Sequence, residues 1–259
     1  MMRSLWTAAS GMRAQQVNVD TIANNVANIN TIGYKSQQAS FKSLLYQNLQ
    51  STSTNNAGEN KPVAAEVGLG SRVAAITSTF TQGNLTHVEN PFSVALEGDG
   101  FFQIRTESGE LQYTRDGSFE ISPVANGNML CTSDGNPVLD AYGNQIILPS
   151  NRVATDLVVN QDGTLAFPDG TGNPAVITDA NGRPVKFGIY QFNNPAGLSK
   201  EGSNNYSVTV ASGAAVAENG NAAVKQTKTH QYYTEASNVD VANEMVNLIV
   251  AQRAYENEF

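Results

Sequence analysis

Apolar residues at the start of the chain recur with the spacing of one helix face. Between residues 4 and about 30 the sequence contains no proline and only one glycine, Gly11. Steps of three, four and seven residues are typical of an amphipathic α-helix. Alanine occupies several positions of the stripe, so we expect close packing against other helices rather than a separate core. The stripe contains Leu5, Ala8, Ala9, Met12, Val19, Ile22, Ala23, Val26 and Ile29.

A second helical pattern lies near the C-terminal end. The run Ser237-Asn238-Val239-Asp240 has the spacing of a capping box, which predicts an N-cap at Ser237 and places Asp240 at the third helical position. The apolar residues beyond it fall on two adjoining stripes, which indicates contacts on more than one side of the helix. One stripe contains Val239, Ala242, Val246 and Ile249, and the other contains Val241, Met245, Leu248, Gln252 and Tyr255.

Between these ends the pattern changes to short apolar runs separated by turn dipeptides. The runs 101–105, 145–148, 156–159 and 185–192 are rich in β-branched and aromatic residues, which favour strands. The dipeptides supply the positive φ angles of tight hairpins. They are Asp99-Gly100, Ser108-Gly109, Asp116-Gly117, Asn126-Gly127, Asp134-Gly135, Gly143-Asn144, Asp162-Gly163, Asp169-Gly170 and Asn181-Gly182. Their irregular spacing argues against a propeller or solenoid, so we expect an all-β domain of successive hairpins.

The chain is therefore expected to have four segments. Residues 1–35 form an N-terminal helix, 36–70 an extended linker or arm, 71–230 the all-β domain and 231–259 a C-terminal helix. Residues 51–62 are polar and lack apolar periodicity, as expected of a linker. The predicted fold class is α+β, with long N- and C-terminal helices pairing as a coiled-coil-like helical domain and an inserted all-β, hairpin-rich domain.

Composition and charge argue against nucleic-acid binding and membrane insertion. The 259-residue chain has a net charge of -8, a pI near 4.7 and no cluster of Lys and Arg, which opposes nucleic-acid binding and attraction to anionic lipid. No apolar run approaches a membrane span, and the first ten residues lack a secretory signal, so we expect no membrane insertion and, for an exported protein, another route. Residues 1–50 carry a net charge of +3 and residues 231–259 a net charge of -4, which favours packing between opposite ends.

The sequence offers few groups for catalysis or metal binding. His87 and His230 lack metal-ligand spacing, and Cys131 is the sole cysteine, which excludes a disulfide within the chain and a thiolate cage. No serine lies in a nucleophile elbow. Carboxylates that could act as glycosidase acids or calcium ligands all precede a turn glycine, which explains them as turn residues: Asp99, Asp116, Asp134, Asp162 and Asp169. We therefore expect no catalytic residue, no cofactor and no metal site.

The run 22–35 contains four asparagines, which disfavour a helix because their amides compete with the backbone. Buried asparagines at helix contacts can fix the register and orientation of partner helices. We therefore interpret Asn24, Asn25 and Asn28 as polar interface residues that set register. The alternative is a weak helix that frays through Asn28 to a C-cap at Gly33.

The same run resembles the N-terminal signature of the flagellar rod and hook family of axial proteins. It reads Ile22-Ala23-Asn24-Asn25-Val26-Ala27-Asn28-Ile29-Asn30-Thr31-Ile32-Gly33-Tyr34-Lys35. Further segments match motifs of this family and extend the resemblance over nearly the whole chain. They are Leu5-Trp6-Thr7-Ala8-Ala9-Ser10-Gly11-Met12 with Ala14-Gln15-Gln16, Thr81-Gln82-Gly83-Asn84-Leu85, Gly98-Asp99-Gly100-Phe101-Phe102, Tyr113-Thr114-Arg115-Asp116-Gly117-Ser118-Phe119, and residues 235–256 with Gln252-Arg253-Ala254-Tyr255-Glu256.

The resemblance implies a structural subunit without enzyme activity. The length, the Arg3-Ser4-Leu5-Trp6 opening and the polar segment between Tyr46 and Gly70 are most similar to the distal-rod members of the family. Such a subunit is exported unfolded through the flagellar type III channel and polymerises helically in the periplasm, where the rod transmits torque to the hook. The implied partners are further copies of this chain, the proximal-rod and hook proteins, the surrounding P and L rings and the export apparatus.

In this family the terminal helices form an inner tube and the β domain an outer layer, so the resemblance implies that residues 36–70 bridge subunits. Members usually continue the C-terminal helix beyond the point where this chain stops, at Phe259. We therefore expect a shortened C-terminal helix, either natively or by truncation.

The residues expected to carry subunit contacts come from both helical patterns. The apolar ones are Leu5, Met12, Val19, Ile22, Val26, Ile29, Val239, Ala242, Val246 and Ile249, and the register-setting polar ones are Asn24, Asn25 and Asn28.

Three alternatives remain open at this stage. A hook or proximal-rod subunit would share the same end motifs. A β module that binds cell-wall glycan could stack sugars on Tyr113, Tyr142, Phe167 and Tyr190, although aromatic residues in strands more often belong to the core. A hydrolase would have to use the turn carboxylates.

Overall fold

The computed structural model describes residues 2–50, 65–125, 127–169, 174–179, 181–221 and 223–257. Within these ranges the chain contains two α-helices and twenty β-strands. The described residues divide into two compact units. The terminal unit is formed from 2–27, 37–78 and 240–257, and the β unit from 28–36 and 79–239. The predicted polar linker, residues 51–62, lies outside the described residues.

Both α-helices belong to the terminal unit. Helix α1 spans Met2–Ala27 and helix α2 spans Val241–Asn257. The buried side chains of α1 recur with helical spacing at Ala14, Thr21, Ile22 and Asn25, so one face of the helix points inward. Small and polar residues make up most of that face, and of the predicted apolar stripe only Ile22 belongs to it.

Two antiparallel strand pairs complete the terminal unit, and one of them packs on α1. Strand β1 (Gln37–Ser43) pairs with β4 (Ser71–Ser78), and β2 (Tyr46–Gln50) pairs with β3 (Ala65–Gly68). The backbone N–H of Leu44 donates to the carbonyl of Gly70 at 2.8 Å and links the two pairs. We call these four strands the ribbon. Helix α1 therefore packs against β1 and β4 as well as against α2.

The predicted fold class is wrong in its helical part. The described chain is mostly β-structure, and its helices do not form a separate coiled-coil-like domain because α1 shares its unit with the ribbon. A coiled coil needs apolar seams that face each other along both helices. Here Thr21 and Asn25 interrupt the buried face of α1, and α2 exposes most of its large apolar side chains.

Helix α2 also begins later than the predicted capping box. Asp240 is the observed N-cap, since its Oδ1 accepts hydrogen bonds from the backbone N–H groups of Ala242 at 3.0 Å and Asn243 at 3.4 Å. The Ser237 hydroxyl instead accepts from the N–H of Val239 at 3.3 Å. The prediction of an N-cap at Ser237 is wrong because Asn238 is held outside the helix. Its side-chain amide donates to the Thr79 carbonyl at 2.8 Å.

Sixteen short strands build the β unit. They are β5 (Leu85–His87), β6 (Val94–Glu97), β7 (Phe101–Arg105), β8 (Leu111–Thr114), β9 (Glu120–Val124), β10 (Gly127–Cys131), β11 (Ile147–Leu148), β12 (Val158–Val159), β13 (Leu165–Pro168), β14 (Pro174–Val176), β15 (Ile189–Gln191), β16 (Ser199–Gly202), β17 (Asn205–Ser207), β18 (Val216–Ala217), β19 (Lys228–Gln231) and β20 (Tyr233–Glu235).

All named strand pairs of the β unit are antiparallel. The largest sheet has the order β16-β17-β8-β7-β15-β18, two three-stranded sheets have the orders β11-β10-β9 and β12-β13-β14, and β6 and β5 pair with β19 and β20. Pairings such as β8 with β17 join strands far apart in sequence, so the unit is more than a chain of neighbouring hairpins.

Two apolar clusters fill the β unit, and consecutive residues of β7 point into different clusters. Phe102 belongs to the larger cluster and packs edge-on against Phe119, with ring centroids 5.0 Å apart. Phe101 belongs to the smaller cluster and packs edge-on against Phe192 at 5.5 Å. Successive side chains of a strand point to opposite faces, so β7 is buried on both sides.

Most of the described turn glycines have the predicted backbone conformation. Positive φ angles occur at Gly109, Gly127, Gly135, Gly143, Gly163 and Gly182, and Gly170 lies outside the described residues. Gly100 and Gly117 do not share this conformation, so the prediction is wrong there. A Cβ atom at Gly117 would overlap the Val94 carbonyl oxygen, and one at Gly100 would overlap Ile189. These two glycines are required by close packing rather than by a left-handed turn.

Candidate functional site

Helix α2 presents an apolar surface to solvent. Val246 is 59% exposed and Ile249 is 50% exposed, and the neighbouring Met245 and Val250 are 53% and 61% exposed. With the exposed Ala242, these residues form what we call the outward face of α2. Exposed large apolar groups in one contiguous stripe mark an interaction surface more often than scattered ones do. Three of the predicted interface residues, Ala242, Val246 and Ile249, lie on this face.

The predicted apolar residues of α1 have several different environments. Leu5 is 69% exposed and stands next to Trp6, which is 72% exposed. Met12, Val19 and Val26 are half-buried, and Ile22 is only 7% exposed. The exposed end of α1 is therefore available to a partner, whereas Ile22 packs inside its own unit.

Four further predicted residues lie in the segments next to the helices or on the exposed side of α1. Ile29 and Asn28 lie in the turn after α1, where the Thr31 hydroxyl donates to Asn28 Oδ1 at 3.1 Å. Val239 precedes α2 and is half-buried, and Asn24 lies on the exposed side of α1. The structure thus brings Ala242, Val246 and Ile249 together on one face of α2, but not into one continuous stripe with the predicted residues of α1.

Asn25 is buried and holds three elements of the terminal unit together. Its amide nitrogen donates to the Gln37 carbonyl at 2.8 Å and to Glu244 Oε1 at 3.3 Å, and its Oδ1 accepts from the Gln37 N–H at 2.8 Å. It therefore connects α1 to the beginning of β1 and to α2. A buried amide with paired donor and acceptor fixes one arrangement of its neighbours.

A buried group of three charged residues lies in the β unit. Lys35 Nζ is 2.6 Å from Glu235 Oε1, and Arg115 Nη1 is 3.7 Å from Glu235 Oε2. All three side chains are at most 1% exposed. We call Lys35, Arg115 and Glu235 the ion cluster. Buried charges are tolerated when they are paired and hydrogen-bonded, so this cluster needs each of its members.

Backbone groups form further hydrogen bonds with the ion cluster, although Arg115 Nε and Nη1 and Glu235 Oε2 have no hydrogen-bond partner among the described residues. Lys35 Nζ also donates to the Thr81 carbonyl at 2.9 Å, and the N–H of Gly83 donates to Glu235 Oε1 at 2.9 Å. Arg115 Nη2 donates to the Gly98 carbonyl at 2.6 Å. Segments that the sequence presented as separate motifs therefore meet at one carboxylate.

Burial disfavours the charged forms of Lys35 and Arg115, and their pairing with Glu235 favours them. Burial lowers the pKa of the Lys35 ammonium, and the neighbouring Glu235 carboxylate opposes that change. Burial also lowers the pKa of Arg115, again opposed by Glu235. Glu235 is the largest cause that favours the charged form of both cations, and the Asp99 carboxylate adds to it. Sequence reasoning missed this cluster, although Lys35, Arg115 and Glu235 each occur in a motif that it quoted.

The aromatic residues proposed for glycan stacking do not form a stacking surface. Tyr113 and Phe167 are each 4% exposed, and Tyr190 is half-buried with its ring centroid 5.6 Å from that of Tyr113. Tyr142 is 45% exposed, but the guanidinium of Arg183 lies 5.0 Å from its ring centroid. These residues pack the β unit instead.

Carboxylate, imidazole and thiol side chains are the groups of this protein that could bind a metal ion. Among the described residues, no group of three or more His, Cys, Asp or Glu side chains could hold a metal ion. The Asp162 carboxylate accepts from the Thr164 hydroxyl at 2.7 Å, as expected of a turn aspartate. Within the described residues, neither α-helix combines the length and apolar character of a membrane span.

Three segments match known domain families. Residues 5–35 match "Flagella basal body rod protein", residues 95–167 match "Flagellar hook protein FlgE/F/G D1 domain", and residues 230–257 match "Flagellar basal body rod FlgEFG protein C-terminal". Each of these segments contributes one member of the ion cluster.

Relatives that match nearly the whole chain are flagellar basal-body proteins. The flagellar basal-body rod protein FlgG of Borreliella burgdorferi is 41% identical over 262 residues, which cover 99% of this chain and 92% of the relative. The protein of the same name from Caulobacter vibrioides is 37% identical over 259 residues, with 98% and 92% covered. The flagellar hook-basal body complex protein FlhP of Bacillus subtilis is 33% identical over 263 residues, with 99% and 93% covered.

Proposed function

Because this chain belongs to the FlgG family of flagellar basal-body rod proteins, we propose that it works as a subunit that polymerises helically into the distal rod and transmits torque to the hook. It is a structural component of the flagellar basal body and assembles with other axial proteins of the flagellum. We assign it no catalytic step.

The observation that carries this proposal is the outward face of α2. Val246 and Ile249 are at least half exposed, and a single chain has no described element that covers them. Removing the exposed half of one such side chain from water stabilises an assembly by roughly 1 kcal/mol. A polymer of many copies gains this energy at every repeat, whereas a monomer leaves it unused.

Residues from both helices enter the proposed contact. We assign to this contact Leu5 and Met12 of α1 and Ala242, Val246 and Ile249 of α2, all of which are wholly or partly accessible. We assign Asn25 the role of orienting α2 relative to α1 within one subunit, on the strength of its bonds to Gln37 and Glu244. Two different surfaces that meet head to tail need not close into a ring, which produces a filament.

We extend the proposal to three further partners on family membership alone. The P and L rings would surround the outer part of the polymer, and the flagellar type III apparatus would export the chain before it folds. These assignments rest on the basal-body and rod names of the relatives.

The experiment is a polymerisation assay of the full chain. We expect purified protein to form filaments at rising concentration, seen by sedimentation and electron microscopy. Val246→Asp should raise the critical concentration by about tenfold or more, because it places a charge in the contact. Val210→Asp is the matched control, since Val210 is a fully exposed valine of the β unit. A wild-type chain that stays monomeric, or Val246→Asp filaments indistinguishable from wild type, would contradict the proposal.

A further inference from the structure

A groove in the terminal unit lies between α1 and the ribbon. Its volume is about 380 Å³, and its walls are mainly apolar. Trp6 and Val17 line it from α1, and Leu44, Leu69 and Val73 line it from the ribbon. The groove is large enough to receive several side chains of another helix, and the 72% exposed Trp6 would gain burial from such a contact.

The floor of the groove is built by a close approach of helix and ribbon. The N–H of Ser71 donates to Ser10 Oγ at 3.3 Å, and Ser10 Oγ donates to the Thr7 carbonyl at 2.7 Å. A Cβ atom at Gly70 would overlap the Ser10 hydroxyl, and Gly70 has a φ of 110°. Glycine is therefore needed at this position, so the groove is a built feature of the unit.

The chain's own α2 does not fill this groove. A separate cleft between the two helices is lined by Gln16 and Val19 of α1 and by Gln252, Tyr255 and the exposed Glu256 of α2. The groove residues of α1, such as Ser10 and Val17, belong to another face of the helix. The groove and the outward face of α2 are thus two uncovered surfaces of the same unit.

The positive charge of the groove favours an acidic surface of a second copy. The charged residues lining it are Arg13 and Arg72, both exposed. Residues 240–259, which contain α2, have a net charge of -3. Glu256 lies seven residues after Ile249 and therefore on the side of the outward face, as does Arg253, whereas Glu244 is bonded to Asn25 within its own unit. The exposed apolar residues around Leu5, at the start of α1, lie between Arg3 and Arg13 in the sequence, so the cations of the groove would repel that end of the helix.

We propose that the groove receives the outward face of α2 from a second copy of this chain, with Glu256 directed toward Arg13 and Arg72. This inference rests on the proposed function and names the two surfaces that meet. Each copy offers one groove and one outward face, so the contact is head to tail and adds copies without limit. The ribbon thereby becomes part of the subunit contact, a role that the apolar stripes of the helices did not indicate.

The first test is a charge exchange in the full chain. Arg72→Glu alone and Glu256→Arg alone should each raise the critical concentration of polymerisation by about tenfold, because each places like charges together. An equimolar mixture of the two variants should polymerise like wild type, since every groove then finds an oppositely charged face. Arg152→Glu is the control, as it reverses an exposed cation of the β unit. A mixture that polymerises no better than either variant alone would overturn the pairing.

The second test identifies the occupant directly. Val73→Cys and Ile249→Cys proteins are mixed and oxidised, so any covalent dimer between them must join two copies. The native Cys131 is buried, and the wild-type chain serves as the background control. A disulfide between positions 73 and 249 supports the inference. A disulfide between Val73→Cys and Leu5→Cys, or no disulfide in either mixture, overturns it.

These tests separate the inference from the proposed function. Polymers that form without a 73–249 disulfide refute the groove pairing and leave the rod assignment standing. A wild-type chain that never polymerises refutes both.

Discussion

Lys35 Nζ lies 2.6 Å from Glu235 Oε1, and both side chains are fully buried although the two residues are 200 positions apart. Lys35 belongs to the segment that follows α1, and Glu235 ends β20. The backbone N–H of Gly33 also donates to the Glu235 carbonyl at 2.8 Å. This pair therefore fixes the segment 28–36 within the β unit.

Removing the carboxylate of this pair should strongly destabilise the β unit. Glu235→Gln leaves Lys35 and Arg115 buried without a counter-charge, and we expect a loss of roughly 3–5 kcal/mol in the free energy of unfolding. Urea unfolding followed by near-UV circular dichroism measures it. Asp169→Asn is the matched control, because the Arg152–Asp169 pair is exposed and its loss should cost at most about 1 kcal/mol. Equal losses in the two variants would show that the ion cluster contributes no more than a surface pair.

Gly33→Ala should cost more than the same change at another left-handed glycine. Gly33 has a φ of 69°, and an added Cβ atom would lie 2.9 Å from the Asp116 backbone nitrogen. Gly135 has a φ of 83° with no atom within 4 Å of the same position. We expect Gly135→Ala to cost roughly 1–2 kcal/mol from backbone strain alone. Gly33→Ala should cost a further ~1–3 kcal/mol from overpacking. Chemical denaturation of both variants tests this difference, and equal costs would contradict the steric argument.

The acid dependence of stability should change in opposite directions in two aspartate variants. Burial raises the pKa of Asp116 above 3.8, partly opposed by hydrogen bonds from Ser118. Between pH 3.8 and that raised pKa the folded state binds more protons than the unfolded state, so Asp116 makes stability fall as pH rises. Asp116→Asn should remove that fall.

Asp179 should affect the pH dependence of stability in the opposite direction to Asp116. The backbone N–H of Arg183 is the main cause that lowers the pKa of Asp179 below 3.8. Its contribution to stability is present above pH 3.8 and is lost as the pH falls through the lowered pKa, because the unfolded state then binds more protons. Asp179→Asn should remove this loss. Free energies of unfolding measured across the acid range test both variants, and changes of the same sign would contradict the assignment.

Asp240→Ala should loosen the first turn of α2, whereas Ser237→Ala should not. Asp240 Oδ1 accepts from the first free N–H groups of the helix, while Ser237 Oγ accepts from Val239 outside it. Loss of an N-cap costs about 1 kcal/mol, with a range of roughly 0.5–2 kcal/mol. Hydrogen exchange at the amides of Ala242 and Asn243 should accelerate in Asp240→Ala. Equally accelerated hydrogen exchange in Ser237→Ala would contradict the assignment of Asp240 as the N-cap.

The local patterns were informative where a short stretch of chain decides its own conformation. The spacing from Leu5 to Val26 predicted the N-terminal helix, which is observed as Met2–Ala27. Dipeptides such as Asp162-Gly163 predicted left-handed turns, because the aspartate side chain and the glycine backbone act within a few residues. The family resemblance, and with it the structural role, also came from residues that are contiguous in sequence.

The helical domain was predicted wrongly because its partners are not local. The sequence showed that α1 has a thin stripe, but not that β1 and β4 would cover part of it. Similarly, Ser237 and Asp240 are both good N-cap residues, and the bonds of Asn238 to a distant segment decided between them.

By itself, the sequence determined the helices, most turns and the family, since hydrogen bonds and side-chain spacing within short segments encode these features. Tertiary structure alone decided that Glu235, among many carboxylates, is the one buried against Lys35 and Arg115, and that the outward face of α2 stays exposed. The physical reason is that burial and charge pairing depend on which distant segments pack together. No spacing along the chain specifies that choice.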